Sequence, residues 1–220
     1  MLRLGYSRVF TILMAVGIIW SAWGVAQDPP PLWHAVLILL FSLWVTDPIS
    51  GVLHVILDNP RSLDVAALRG LAEGFQRHHD NPAKIYEMPL YEHLYVMHLP
   101  LTIVFAVVAV IGHGHVHFVA LCMVLALHLM QMAHLWAHLP AERVPAAVRG
   151  LQRVGLLLTK AKHDDHHTEP FDKNFCIMTG LANRPLNAVV GVVGGRTHWW
   201  NAAFLALAAT PLAFAMALGW

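Results

Sequence analysis

The sequence predicts an all-α, polytopic membrane protein with four to five transmembrane helices and a cytoplasmic, histidine-rich helical cap. Three observations carry that expectation. Of the 220 residues, 57% are hydrophobic and only 12% charged, with a mean hydropathy of +0.56, far from the balance of a soluble domain. Apolar runs of roughly 17 to 25 residues, the length that crosses a bilayer core, recur along the chain. Histidine occurs 16 times, and ionisable groups in or near a membrane point to function. The net charge of +1 and the lack of a dense basic run exclude a nucleic-acid partner. The two cysteines, Cys122 and Cys176, cannot form a disulfide framework or a Cys-based zinc site.

The elements follow in order within a single domain, 1–220. An apolar run at 9–25 follows Arg3 and Arg8; it is long for the core of a signal peptide, so an uncleaved first span is expected. Gln27-Asp28-Pro29-Pro30-Pro31 breaks it. The second span, 33–55, carries Asp47, Gly51 and His54 and is followed by Asp58; spacings of seven and four place Asp47, His54 and Asp58 along one helical stripe, and an Asp in lipid is costly enough to face inward. Gly51 admits a neighbouring helix. Asn59-Pro60 ends this element, and 61–94 is a polar connection holding Phe75, His78-His79 and Pro82. The third span is 95–111, followed by a turn rich in Gly and His; the fourth, 118–139, ends in His134 and His138, an i, i+4 pair. The longest polar segment, 141–197, carries His163-Asp164-Asp165-His166-His167. The last apolar run, 200–220, is either a fifth span or a helix in the interface.

Basic residues set the orientation. Arg3 and Arg8, then Arg61, Arg69, Arg77 and Lys84, then Arg143, Arg149, Arg153, Lys160, Lys162, Lys173, Arg184 and Arg196 account for all 14 Lys and Arg. The two alternate turns have none. The positive-inside rule puts the N-terminus and both long polar segments in the cytoplasm. His54, His78, His79, His134, His138, His163, His166 and His167 then share one face, while His113, His115 and His117 lie on the other.

On a helix, positions 163, 166 and 167 share a face, and neutral imidazole is a ligand for iron, zinc, copper and nickel. Eight imidazoles exceed the three or four that one zinc needs and suit two ions with positions open for a small molecule. Two ions in neutral nitrogen ligands at a membrane surface suggest iron and dioxygen, acting on an unactivated C–H of an acyl or alkyl chain. Asp47, Asp58, Asp80, Asp164 and Asp165 are candidates to orient imidazoles and offset the metal charge, with Asp58 equally placed to be a direct ligand. His34, His113, His115, His117 and His198 read as interfacial, and His93, His98 and His128 are unassigned. Gly191-Val192-Val193-Gly194-Gly195 lacks the context of a nucleotide fingerprint, so any flavin belongs to a partner. The absence of His-Glu-x-x-His argues against a membrane zinc protease.

Five ordered blocks carry a resemblance. They are Asp47-x-x-Ser50-Gly51-x-x-His54-x-x-x-Asp58, Phe75-x-x-His78-His79-x-x-Pro82, His134-x-Trp136-Ala137-His138, His163-x-x-His166-His167 and Phe175-Cys176-Ile177-x-Thr179-Gly180-x-x-Asn183-x-Pro185-Leu186. Together they resemble the plasmanylethanolamine desaturase family, which includes the plastid desaturase that places a trans double bond in the palmitate of phosphatidylglycerol. The resemblance implies a histidine-box lipid desaturase in the bacterial inner membrane, holding two non-haem iron ions in the eight imidazoles named above. It implies dioxygen as co-substrate, a phospholipid substrate in the bilayer, and electrons from a separate cytochrome b5-like or ferredoxin/reductase donor. The ether-lipid branch would turn a 1-O-alkyl chain into a plasmalogen vinyl ether. The family pattern has a further histidine near Met88 and a Trp where Val55 stands; either His93 or His98 replaces the former or the site has one ligand fewer. Competing readings are another histidine-box fatty-acyl or sterol desaturase or hydroxylase, and a metal-binding membrane transporter, whose ligands would spread through the bilayer depth.

Overall fold

The computed structural model describes residues 2–66, 68–112, 114–194 and 197–218. His113, Gly195, Arg196 and the end of the last apolar run lie outside the described residues. Among the described residues every regular element is helical. They are α1 (Leu2–Gln27), α2 (Leu32–Asp58), α3 (Arg69–Asp80), α4 (Leu90–Leu94), α5 (His98–Ile111), α6 (Gly114–His138), α7 (Ala146–Arg153), α8 (Lys160–His166), α9 (Asn183–Val193) and α10 (Thr197–Ala217), with short 3-10 turns between some of them. Five stretches of the described residues are long and apolar enough to cross a membrane: Arg8–Gln27, Leu32–Asp58, Leu90–Ile111, Gly114–His138 and His198–Ala217. The last apolar run therefore has the length of a fifth span.

Local chemistry explains the boundaries. Pro29, Pro30 and Pro31 separate α1 from α2, since each lacks the N–H that a continuing helix needs. The third apolar stretch starts at Leu90, earlier than the pattern predicts, and is broken into α4, a 3-10 turn and α5. Pro100 sits in the first turn of α5, where a missing N–H costs nothing. Gly112, at φ +61°, ends α5 in the left-handed region and returns its N–H to the Val108 carbonyl.

The chain forms two compact units. The first comprises the described residues of Met1–Val45, Leu90–Leu129 and Ala209–Trp220. There α1 packs on α5: a Cβ at Gly17 would lie 2.3 Å from the Phe105 ring. Phe105, Val108 and Ala120 form its centre, with Met14, Ile18, Trp20 and Val124 against them. Ile12, Ile19, Leu40 and Val110 are exposed apolar side chains, which is the surface that a helix crossing hydrocarbon presents.

The second unit comprises the described residues of Thr46–Pro89 and Met130–Ala208. Its core joins Val52, Val55, Ile56 and Leu57 of α2 to Ala72, Phe175, Cys176, Leu186 and Trp200. Gly51 allows the approach, for a Cβ there would lie 2.5 Å from both Cys176 Sγ and Leu186 Cδ2. Burial pushes the Cys176 thiol pKa far up, which leaves it an inert packing group. A smaller cluster of Ala133, Val144, Val148 and Leu157 seats α7. All eight predicted histidine ligands belong to this second unit.

Candidate metal centre

Four helices supply the imidazoles. α2 contributes His54 and, one turn on, Asp58; α3 contributes His78 and His79 near its end; α6 ends with His134 and His138. α8 carries His163 and His166, with His167 as its C-cap, and is started by Thr159, whose side chain accepts the Lys162 N–H.

The eight histidines divide into two groups. In the first, one ring nitrogen from each of His78, His134, His138, His163 and His167 lies within 4.8 Å of all the others. The Nε2 of His138 is 2.9 Å from that of His78, 3.1 Å from that of His134 and 2.8 Å from that of His163. The Nε2 atoms of His163 and His167 are 3.3 Å apart. One neutral imidazole has a single N–H, so His138 cannot satisfy three neighbours by hydrogen bonding. Six nitrogens about 2.1 Å from one ion would have neighbours about 3.0 Å apart. The observed spacings match that geometry, and the residues fit a metal ion.

The second group is His54, Asp58 and His166. Asp58 Oδ2 is 3.5 Å from His166 Nε2, and Asp58 Oδ1 is 3.1 Å from the Nε2 of His79, which joins this group from α3. Yet His54 Nε2, His166 Nε2, His79 Nε2 and both Asp58 oxygens are buried without a hydrogen bond. Each such atom costs about 1–3 kcal/mol. A cation among them would satisfy all of them together. The groups adjoin: His54 lies with ring centroids 5.2 Å from His166 and 5.9 Å from His134, and His166 is 5.3 Å from His167. Phe75 stands against His54, Phe171 against His79 and Phe175 against His166, each about one ring contact away at 4.8, 4.8 and 5.2 Å. These rings keep water from the ligand nitrogens.

Electrostatics favours the neutral, ligating form. Burial, then the neighbouring imidazoles, hold the pKa of His163 well below the usual histidine value and lower that of His167. Burial also lowers His166, against the opposing pull of the Asp58 carboxylate. Its tautomer is fixed: Nδ1–H donates to the Lys173 carbonyl at 2.8 Å, leaving the Nε2 lone pair facing Asp58 and His54.

Of the five candidate carboxylates, Asp47, Asp58, Asp80, Asp164 and Asp165, four do not face the imidazoles. Asp47 Oδ1 accepts the N–H groups of Thr179 and Gly180 at 2.8 and 3.0 Å, and Oδ2 that of Ala182 at 3.0 Å. Ser50 assists, its Oγ donating to the Asp47 carbonyl and accepting the Ile177 N–H. Asp47 thus fastens the 177–182 loop to α2. Asp164, on the outer face of α8, pairs with Lys160 at 2.7 Å. Asp165 pairs with Lys173 at 2.8 Å and accepts Asn174 Nδ2 at 2.6 Å. Asp80 is exposed. Only Asp58, of those five, turns its oxygens to the imidazoles.

Among the described residues the other histidines belong to neither group. His93 and His98 are buried, and His98 Nδ1 is 2.8 Å from Thr11 Oγ1. His34 and His117 are buried, His117 beside Ser21. His128 Nδ1 donates to the Val124 carbonyl. Asn174 and Asn187, which the sequence pattern did not mark as site residues, stand behind His166; the only signal for them was a pair of amides flanking the loop.

Comparison with known proteins adds an independent line. The sequence model described as "Lipid desaturase domain" matches residues 43–192, a span that contains all eight histidines and Asp58. The chain is similar to Fatty acid desaturase 4-like 2, chloroplastic, of Arabidopsis thaliana, 32% identical over 145 residues, 63% of this chain and 50% of that relative. It is similar to Fatty acid desaturase 4, chloroplastic, of the same plant, 31% identical over 145 residues, 63% of this chain and 43% of the relative. Plasmanylethanolamine desaturase of Myxococcus xanthus is 27% identical over 184 residues, 81% of this chain and 64% of that protein. The chain spans about half the length of the chloroplast relatives. No solved structure matches.

Proposed function

The chain belongs to the lipid desaturase domain family, and from that premise we propose that it is a membrane di-iron desaturase acting on a phospholipid chain. The observation that carries this reading is the pair of adjoining ligand groups, five imidazoles in one and His54, Asp58 and His166 in the other. His78, His134, His138, His163 and His167 would hold one iron; His54, Asp58 and His166, with His79, would hold the second. When bound, the irons supply the oxidising chemistry: dioxygen takes two chain hydrogens, two electrons and two protons and leaves as two waters. The protein's own residues keep the ring nitrogens deprotonated, fix the His166 tautomer and line the site with Phe75, Phe171 and Phe175.

The substrate favoured is the 1-O-alkyl chain of an ether phospholipid, converted to a vinyl ether, because the bacterial plasmanylethanolamine desaturase aligns with 81% of this chain. A fatty-acyl chain is the second reading, favoured by the 32% identity to a chloroplast fatty acid desaturase. Electrons come from a separate cytochrome b5-like or ferredoxin donor. Basic residues concentrated in 61–84 and 143–196 support an inner-membrane protein with the site on the cytoplasmic side.

The test is expression in a host fed 1-O-alkylglycerol, with lipid mass spectrometry and anaerobic metal analysis of the purified protein. A new acid-labile vinyl ether with two irons per chain is the expected result. A new acyl double bond moves the substrate to the second reading. An unchanged lipid profile with no bound iron overturns the proposal.

A further inference from the structure

His166 differs from its two partners on α8. The Nδ1 atoms of His163 and His167 have no hydrogen bond, whereas that of His166 is bonded to the Lys173 carbonyl. That bond decides which nitrogen of His166 keeps its lone pair for an ion. The position of the Lys173 carbonyl therefore matters to the second ligand group and not directly to the first.

The carbonyl is clamped from both sides. Lys173 Nζ reaches Asp165 at 2.8 Å. The next residue, Asn174, sits at φ +59°, a left-handed conformation that asparagine tolerates and most residues do not. Its side chain donates from Nδ2 to Asp165 Oδ2 at 2.6 Å. Asn187, in the middle of α9, grips Asn174 twice: Asn187 Oδ1 accepts the Asn174 N–H at 2.9 Å, and Asn187 Nδ2 donates to Asn174 Oδ1 at 3.2 Å. Asparagine is a poor residue for a helix interior because its amide competes for backbone groups. At 187 that amide is committed to a loop 13 residues away in sequence.

We propose that Asn187, acting through Asn174, is a positioning residue for the second ion: it holds the Lys173 carbonyl that commits His166 Nε2 to the His54/Asp58/His166 group. The inference rests on the metal-binding reading above. Asn187 touches no ligand atom itself, so its effect is on one ion of the two.

The experiment is titration of the purified, metal-stripped full chain with Co2+, followed by visible absorption and by metal content after gel filtration, for wild type, Asn187→Ala, Asn174→Gly and Asn187→Asp. Wild type is expected to take two equivalents. Asn187→Ala is expected to keep one at unchanged affinity and to bind the other about 10- to 100-fold more weakly. Asn174→Gly, which keeps the left-handed backbone accessible and leaves α9 untouched, should show the same selective loss and decides the matter if Asn187→Ala does not fold. Asn187→Asp retains the oxygen that receives the Asn174 N–H but loses the donor to Asn174 Oδ1, so it should bind the second equivalent more tightly than Asn187→Ala and more weakly than wild type, a partial rescue that a role in packing alone would not give. Two equivalents at wild-type affinity in both Asn187→Ala and Asn174→Gly, or equal weakening of both ions, would overturn the inference. A wild-type chain that takes no Co2+ would instead overturn the metal-binding reading on which it stands.

Discussion

The five-imidazole group and the His54/Asp58/His166 group sit side by side and are held in different ways. The first is seated on helices: His134 and His138 lie one turn apart on α6, and His163 and His167 one turn apart on α8, so backbone hydrogen bonding fixes their spacing. Its donors are neutral. The second has fewer imidazoles, includes a carboxylate, and depends on a loop: His166 is turned by the Lys173 carbonyl, and the segment that follows is fastened by Asp47. The difference teaches that one group is specified by periodicity and the other by tertiary contacts. An ion in the first should be the more robust, and an ion in the second, beside the Asp58 charge, the more tunable.

The strongest way to break this comparison is His138→Ala. Its Nε2 lies 2.8 to 3.1 Å from three other ligand nitrogens, so its loss removes the nitrogen on which the group converges. Product formation should fall by at least about 100-fold, more than loss of an outer partner costs a metal site. Metal analysis should show the first ion gone. A His138→Ala protein that retains two ions and its turnover would remove the five-imidazole group from the account.

Asp58→Asn sharpens the contrast from the other side. It keeps the shape and removes the anion that only the second group has. Affinity for that ion should drop by about 10- to 100-fold, while the five-imidazole ion stays. Equal weakening of both ions would mean that the carboxylate serves the pair and that the two groups are one site.

Asp47→Asn acts further away. An amide in place of the carboxylate sets an NH2 against one of the backbone N–H groups that Asp47 now accepts. One unpaired buried donor costs about 1–3 kcal/mol, visible as a lower unfolding temperature of the metal-stripped protein. If the loop governs only the second group, the second ion should also be released first on dilution. A simultaneous loss of both would show that the 177–182 loop supports the whole centre.

This division also explains what the sequence made legible. The spans could be read because roughly 20 apolar residues in a row have few alternatives; their starts moved most, the third stretch beginning at Leu90 rather than 95 and the fourth at Gly114 rather than 118. The His134/His138 and His163/His166/His167 pairings could be read because 3.6 residues per turn puts them on one face. Spacing alone could not assign His166 to a different group from His163, since that depends on where α2 brings His54 and Asp58. Nor could it show that Asp47, on the same helical stripe as His54, spends its oxygens on backbone N–H groups. Those groups lie 132 to 135 residues away, and no local pattern encodes such a partner. Asn187 was invisible for the same reason.

The smallest expected effect concerns Asp164, which stands in the middle of the histidine motif and yet faces away from it. Its carboxylate is about half exposed and meets Lys160 one turn back at 2.7 Å. An exposed i, i+4 pair of this kind contributes about 0.3–0.5 kcal/mol, so Asp164→Asn should leave the unfolding temperature nearly unchanged and both ions bound. The variant separates two ideas that sequence proximity confuses. If a carboxylate matters here because it lies near the imidazoles in the chain, Asp164→Asn should resemble Asp58→Asn. If it matters because its oxygens face unpaired ring nitrogens, only Asp58→Asn should release an ion, and measuring metal content in the two variants side by side decides between them.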